Sequence, residues 1–206
     1  MPLFGRFRKP DKEAKPASRA GSGGSSGRPF EALTEEWRLV GVMQIKDRMP
    51  DVLNRRESIP ITAVSWAPID GSAGLAPAPG LKEVDPYDLI VVSTGNAEMD
   101  DVQKVAFHRV PYDVSLLCSP FRVVGTVHLL PGMEPDRLFE RSTELFIPLT
   151  AAYVFIDEQP VGDGEVPLAL VNRGYLRGVE QIDRRTFKAV QPLPGQPLGG
   201  TSYRGR

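Results

Sequence analysis

The stretch FRVVGTVHLLPGMEPDRLFERSTELFIPLTAAY, residues 121–153, decides the fold because residues 37–64, WRLVGVMQIKDRMPDVLNRRESIPITAV, pass through the same series of apolar, glycine and proline positions. Trp37, Arg38, Leu39, Val40, Gly41 and Val42 lie over Phe121, Arg122, Val123, Val124, Gly125 and Thr126. Pro50, Asp51, Leu53 and Arg56 lie over Pro135, Asp136, Leu138 and Arg141, and Ile59, Pro60, Thr62 and Ala63 over Ile147, Pro148, Thr150 and Ala151. The second stretch has one additional residue before its Pro-Asp pair and three more after it. Outside this frame, LIVVSTG (89–95) is set over LALVNRG (168–174), and Pro29-Phe30-Glu31 over Pro111-Tyr112-Asp113. So ordered a series points to a tandem duplication, with units at 29–108 and 109–190.

Each unit carries the two-residue period of strands. Phe121, Val123, Gly125, Val127 and Leu129 share one face, and Trp37, Leu39, Gly41, Met43 and Ile45 share the equivalent face of the first copy. A glycine inside such a strand weakens it unless the backbone bends or meets another closely. Its recurrence at one place predicts a bend in both copies. Pro-Asp predicts a helix start, since proline suits the first turn and aspartate the positive end of the helix dipole. Ile-Pro then opens a strand, and Asp163-Gly164 marks a hairpin turn. The expected fold is mainly β with short helices, in two tandem small β-barrel units.

Of the 206 residues, 20 are Gly and 20 are Pro, roughly a fifth of the chain against about 12% in an average protein, which favours turns and short strands. Residues 1–28 hold seven basic and two acidic side chains, a net +5, while the remainder holds 18 basic and 24 acidic, a net −6. Residues 10–28 end in GSGGSSG and read as a flexible tether, and the proline-rich 191–206 as a second tail, because neither can bury enough apolar surface to offset ordering. A lone cysteine, Cys118, fits a reducing compartment. No run of about 18 apolar residues is present, and the opening MPLFGRFRKP lacks the apolar segment of a secretory signal, so a cytoplasmic protein is expected.

The order of strand, bent strand, short helix and further strands ending in VNRGYLRGV (171–179) resembles the Sm-like small β-barrel, and more specifically a bacterial family of single-barrel proteins known as a domain of unknown function. The resemblance is best over residues 111–183 and looser over 29–108. It implies rings formed by edge-strand pairing and binding of RNA. The first copy places Ser93-Thr94-Gly95 where the second has Asn172-Arg173-Gly174, so an RNA-contacting pattern on those residues would occupy one half alone.

Chemistry-bearing residues are few. A nucleophilic pair would have to be drawn from Cys118, His108 and His128. Cys118 is in phase with the apolar Val114 and Leu116 and reads as a buried thiol; His128 reads as a solvated residue in the place of Gln44; His108 reads as a linker residue. Glu98, Asp100 and Asp101 could hold a cation or act in acid–base work, but a charged, solvent-facing turn that opens a short helix is by far the commoner role of such a cluster. The loop GSAGLAPAPG (71–80) lacks the Lys and Ser/Thr of a phosphate cradle. No catalytic residue, metal site or cofactor is expected.

Four polar residues are candidate binding positions: Arg38 and Arg122 beside the two bends, with Asn172 and Arg173. Phe4, Arg6, Phe7, Arg8 and Lys9 could give a weak contact with an anionic membrane surface. The expected function is a non-enzymatic interaction or scaffold module, taking a protein partner or a second copy along its strand edges. The rival class is a nucleic-acid-binding protein working through the basic arm, against which the acidic body would act by repelling phosphates.

Overall fold

The computed structural model describes residues 27–94, 99–139, 144–162 and 164–190. The expected tails, including Phe4, Arg6, Phe7, Arg8 and Lys9, and Asp163 of the expected hairpin turn lie outside them. The first half contributes β1 (Arg28–Leu33), β2 (Trp37–Met43), α1 (Met49–Asn54), β3 (Ile59–Pro68), β4 (Ala76–Pro77), β5 (Glu83–Val84), a 3-10 turn (Pro86–Asp88), β6 (Val91–Ser93) and α2 (Met99–Ala106). The second contributes β7 (Val110–Cys118), β8 (Phe121–Leu129), a 3-10 turn (Pro135–Phe139), β9 (Phe146–Ile156), β10 (Gln159–Pro160), β11 (Val166–Asn172), a 3-10 turn (Arg173–Tyr175), β12 (Gly178–Asp183) and β13 (Lys188–Ala189). The strands form one open antiparallel sheet in the order β13-β12-β7-β8-β9-β11-β6-β1-β2-β3-β4, with β10 added to β9 and β5 to β3. The protein is mainly β, and no described helix is long and apolar enough to cross a membrane.

The bends sit where the glycines predict them. In the first half the register runs Val40↔Ser65 and then Val42↔Thr62, and in the second Val124↔Tyr153 and then Thr126↔Thr150. Each jump inserts one extra residue in β3 or β9, a β-bulge that increases local twist. Ala63 and Ala151 take the left-handed backbone at these bulges, with φ of 52° and 49°. Opposite them, a Cβ on Gly41 would lie 3.1 Å from the Thr62 carbonyl oxygen, and one on Gly125 3.1 Å from the Ala152 Cβ. Neither site has room for a side chain without displacement of its neighbours.

Two parts of the expected alignment do not match the observed pairing. Phe30 lies opposite Gly41 as Val114 lies opposite Gly125, so Pro29 corresponds to Asp113 and not to Pro111. Further on, Val84 pairs with Ile59 as Val171 pairs with Ile147, and Asp85 caps the turn Pro86–Asp88 as Asn172 caps Arg173–Tyr175. The segment matching VNRGYLRGV is therefore VDPYDLIVV (84–92) rather than the run beginning at Leu89. Accordingly β6 pairs with β1 (Ala32↔Val92) as β12 pairs with β7 (Leu116↔Val179).

Pro50 and Pro135 stand at short helical starts, as expected, and put Leu53 and Leu138 into the interior. One tight hairpin of the second half turns at Asp157-Glu158, both with positive φ, between Ile156 and its partner Gln159. Positive φ at both central residues is the type I′ arrangement whose twist suits a two-residue hairpin.

Among the described residues the interior has two apolar clusters, and each borrows from the other half. The first-half cluster around Phe30, Met43 and Leu53 includes Leu145, Phe146, Leu168 and Leu170. The second-half cluster around Phe121, Val123 and Leu149 includes Leu33, Ile90 and Val91. Burying a side chain such as Phe146 is worth about 1.5–3 kcal/mol, so this exchange welds the halves together.

Candidate functional site at the sheet edges

The halves meet where β6 pairs with β11. Val91 lies opposite Val171, Val92 opposite Leu170 and Ser93 opposite Ala169. The Asn172 backbone N–H continues this ladder by donating to the Ile90 carbonyl at 2.8 Å. Two side-chain amides brace the seam. Asn172, 1% exposed, donates through Nδ2 to the carbonyls of Leu89 (2.8 Å) and Pro86 (3.2 Å), while its Oδ1 accepts from the Gly174 N–H (2.9 Å). Asn54 Oδ1 at the end of α1 accepts from the N–H groups of Leu145 (2.7 Å) and Phe146 (2.9 Å).

The outer ends of the sheet present the counterparts of these joined strands. By register, Lys82-Glu83-Val84-Asp85 stands in the place of Ala169-Leu170-Val171-Asn172, since Ile61 N–H donates to the Lys82 carbonyl and Ile59 pairs with Val84. At the other end Arg177-Gly178-Val179-Glu180 stands in the place of Ile90-Val91-Val92-Ser93. The Arg177 N–H donates to Leu117 O as the Ile90 N–H donates to Leu33 O. The hairpin partner β13 covers the far part of β12, pairing with Ile182 and Asp183, while the Val190 N–H reaches Gln181 O. Lys82, Glu83, Asp85, Arg177 and Glu180 are all exposed.

A groove of about 750 Å³ adjoins the first of these edges, between β3 and the chain from Pro77 to Lys82, with Ile61, Val64, Pro77, Pro79 and Leu81 among its walls. It opens because Pro79 has no N–H to give and the chain turns there, leaving β3 after the bond from Ala78 N to Val64 O and rejoining it at Lys82.

The expected binding residues fall at separate places. Arg38 forms an ion pair with Glu31 on the neighbouring strand (Nε–Oε1 2.8 Å), and Arg122 pairs with Glu158 in the β9–β10 turn while lying 4.8 Å above the Phe155 ring. Asn172 is enclosed in the seam and engaged on three sides. Arg173 donates to the backbone carbonyls of Leu138 and Glu144, and burial holds its guanidinium below the usual arginine range.

The residues weighed for chemistry are also occupied. Cys118 is buried, which pushes its thiol up to about 12, so it carries no thiolate at neutral pH. His128 is half-buried rather than solvated. Its Nε2 lies 2.8 Å from Thr150 Oγ1, the bond that Gln44 makes to Thr62 Oγ1 at 2.9 Å in the other half. Burial, aided by Arg109, lowers its affinity for a proton, with Asp113 acting in the opposite sense. His108 sits edge-on to Phe107 in the left-handed backbone after α2. Asp101 is buried and ion-paired with Arg28 at 2.8 Å, whereas Asp100 is exposed and Glu98 lies outside the described residues.

One surface feature escaped the sequence reading. Tyr153 and Phe155 stack at 6.4 Å, and Phe187 meets both edge-on at 5.8 and 6.3 Å, with Arg122 above Phe155. The alternation of Tyr153 and Phe155 along β9 could have flagged it; the approach of Phe187 from the end of the chain could not. Comparison of the chain with protein-family models, with curated proteins and with solved structures gives no match in any of the three.

Proposed function

We propose that this chain is a non-enzymatic interaction module, a duplicated small Sm-like β-barrel that docks a protein partner along its sheet edges. The observation that carries this reading is the correspondence between the seam and the two outer edges. Among the described residues, backbone segments equivalent to those paired inside the molecule lie at its ends with no strand paired to their far side, and such an edge is a template for another strand. The occupied state of Cys118, His128 and Asp101 supports a binding role over a nucleophilic or acid–base one.

The test is site-resolved photo-crosslinking in the native cell, with the reactive side chain placed at Glu83, at Glu180 or, as a control, at Glu57 in the exposed α1–β3 loop. A discrete protein adduct from the edge positions and none from position 57 is expected. No adduct, or the same adducts from all three positions, contradicts the reading.

A second reading, single-stranded nucleic acid binding, has one observation in its favour, the Arg122–Phe155 pair flanked by Tyr153 and Phe187, since bases stack on such surfaces. Titration of a labelled oligonucleotide at low and moderate salt, with and without residues 1–26, decides it. Absence of binding to either form removes it.

A further inference from the structure

We propose that the aromatic surface formed by Tyr153, Phe155 and Phe187 seats this chain's own proline-rich segment, residues 191–198, QPLPGQPL, docked as a polyproline II stretch. The contact uses none of residues 82–85 or 177–180 and goes beyond the edge-docking reading.

The three rings come from two distant parts of the chain and are fixed together by the backbone. Tyr153 and Phe155 share one face of β9 through the two-residue alternation of a strand, while Val154 between them is buried. Phe187 closes the turn that begins at Asp183, donating its N–H to the Asp183 carbonyl at 2.8 Å. Arg184 in the same turn fastens it to the bulge of the second half, donating to the Ala151 carbonyl at 2.7 Å and to Thr126 Oγ1 at 2.8 Å. Phe187 takes the left-handed backbone at φ 53°, a conformation that glycine or asparagine adopts with less strain, and its ring is nevertheless exposed. Turn geometry does not call for an aromatic there; the ring completes a surface with Tyr153 and Phe155.

Chemistry, charge and reach point to one occupant. Proline rings pack on aromatic faces, and a polyproline II segment arrives with φ already fixed, so little ordering entropy opposes docking. Pro194 and Pro197 are one turn of such a helix apart, so in that conformation they share a face and are spaced by about 9 Å. The ring centroids lie 5.8, 6.3 and 6.4 Å from one another, a surface of comparable length. Arg122 above Phe155 is engaged by Glu158, and Arg184 by Glu165 and Asp113, so the cations around the rings are already matched by carboxylates. Such a rim disfavours a phosphate-bearing strand and suits a neutral segment, and residues 191–200 carry no charged side chain. Val190 follows Phe187 by three residues and lies within about 11 Å of it, while Pro194 and Pro197 are about 14 and 25 Å of extended chain further on, enough to return over the rings.

The experiment is nuclear magnetic resonance of the full chain, wild type against the double substitution Pro194→Ser with Pro197→Ser, with urea midpoints checking that both fold. Overhauser contacts from the ring protons of Tyr153 and Phe155 to the side chains of Pro194 and Pro197 are expected, together with upfield shifts of those proline protons. Both should be unchanged on dilution, as for a contact within one chain. In the double variant the contacts are lost and the ring signals of Tyr153, Phe155 and Phe187 all move; Phe187→Ala, a change of an exposed side chain, should likewise abolish the upfield proline shifts. Missing contacts with unshifted proline protons, or ring signals indifferent to the double substitution, overturn the proposal. Contacts that vanish on dilution also overturn it, by assigning the rings to the segment of another copy. So does an added single-stranded oligonucleotide that moves the ring signals of wild type and double variant equally, which would assign the surface to nucleic acid.

Discussion

β11 and the broken pair β4 and β5 occupy the same place beside the third strand of their halves, yet one is a seven-residue strand and the other two dipeptides separated by a loop. The difference follows from what lies on their far side. β11 is covered by β6, and Leu168 to Asn172 are all buried. The first-half segment has no such cover among the described residues, and it carries Pro77, Pro79, Lys82 and Glu83, the residue types that keep a sheet edge from unselective pairing. One local backbone plan thus yields a central strand or a guarded edge, depending on the charges and prolines set into it.

The largest test of this comparison is Phe146→Ala. Phe146 is a residue of the second half that packs in the first-half core, and both tryptophans, Trp37 and Trp66, stacked at 4.8 Å, belong to the first half. Truncation of a buried phenylalanine costs about 3–5 kcal/mol, so the urea transition followed by tryptophan fluorescence should shift by that amount although the substitution is remote in sequence. An unchanged tryptophan transition would mean that the halves are energetically separate.

The capping pair comes next. Asn172→Ala removes three buried or half-buried hydrogen bonds, to the carbonyls of Leu89 and Pro86 and from the Gly174 N–H, an expected loss of about 2–3 kcal/mol, while Asp85→Ala removes one exposed cap and should cost under about 1 kcal/mol. Equal losses in chemical denaturation would contradict the assignment of seam to one and open edge to the other.

Valine at the two bends should cost about 1–3 kcal/mol by overpacking. Gly125→Val should be the more severe, because its nearest neighbours include the Ala152 Cα, whereas Gly41 faces side-chain ends of Val64 and Phe30 besides the Thr62 carbonyl. The reverse order would show that the first bend is the stiffer.

The smallest effect is expected for His128→Gln, which installs the residue found in the same place in the first half. Neutral-pH stability should change by less than about 0.5 kcal/mol, as for substitutions that preserve the local contact. The folded state holds His128 below the usual histidine range, so the unfolded chain takes up the proton first. Stability is therefore retained above about pH 6.5 and declines as pH falls through that value, and the glutamine variant should lose this part of the slope. An unaltered acid limb in urea titrations would place the titration elsewhere.

The bends were legible in the sequence because backbone geometry selects residues narrowly. Gly41 and Gly125 face the third strand too closely for a side chain, and the Ile-Pro-x-Thr-Ala series recurs around each bulge. The late segments were not legible, because burial selects residues broadly. Ile90, Val91 and Val92 are buried in the seam, whereas their counterparts Arg177, Gly178 and Val179 face outward or partly so, and hydrophobic matching drew the apolar run at Leu89 toward the wrong strand. Val84-Asp85 with Leu89, against Val171-Asn172 with Leu176, was the surviving signal, a turn cap between two apolar anchors. For the candidate site, the edge position of Lys82 and Glu180 could be read only after the strand order was known.

Cross-strand nuclear Overhauser contacts of the intact chain test the arrangement of the halves most directly. The account predicts contacts of Val92 with both Ala32 and Leu170, and none between β6 and β3. Contacts joining Val91–Ser93 to Ile59–Ile61 in place of Val84 would put the apolar run beside the third strand, and the correspondence between seam and outer edges would be contradicted.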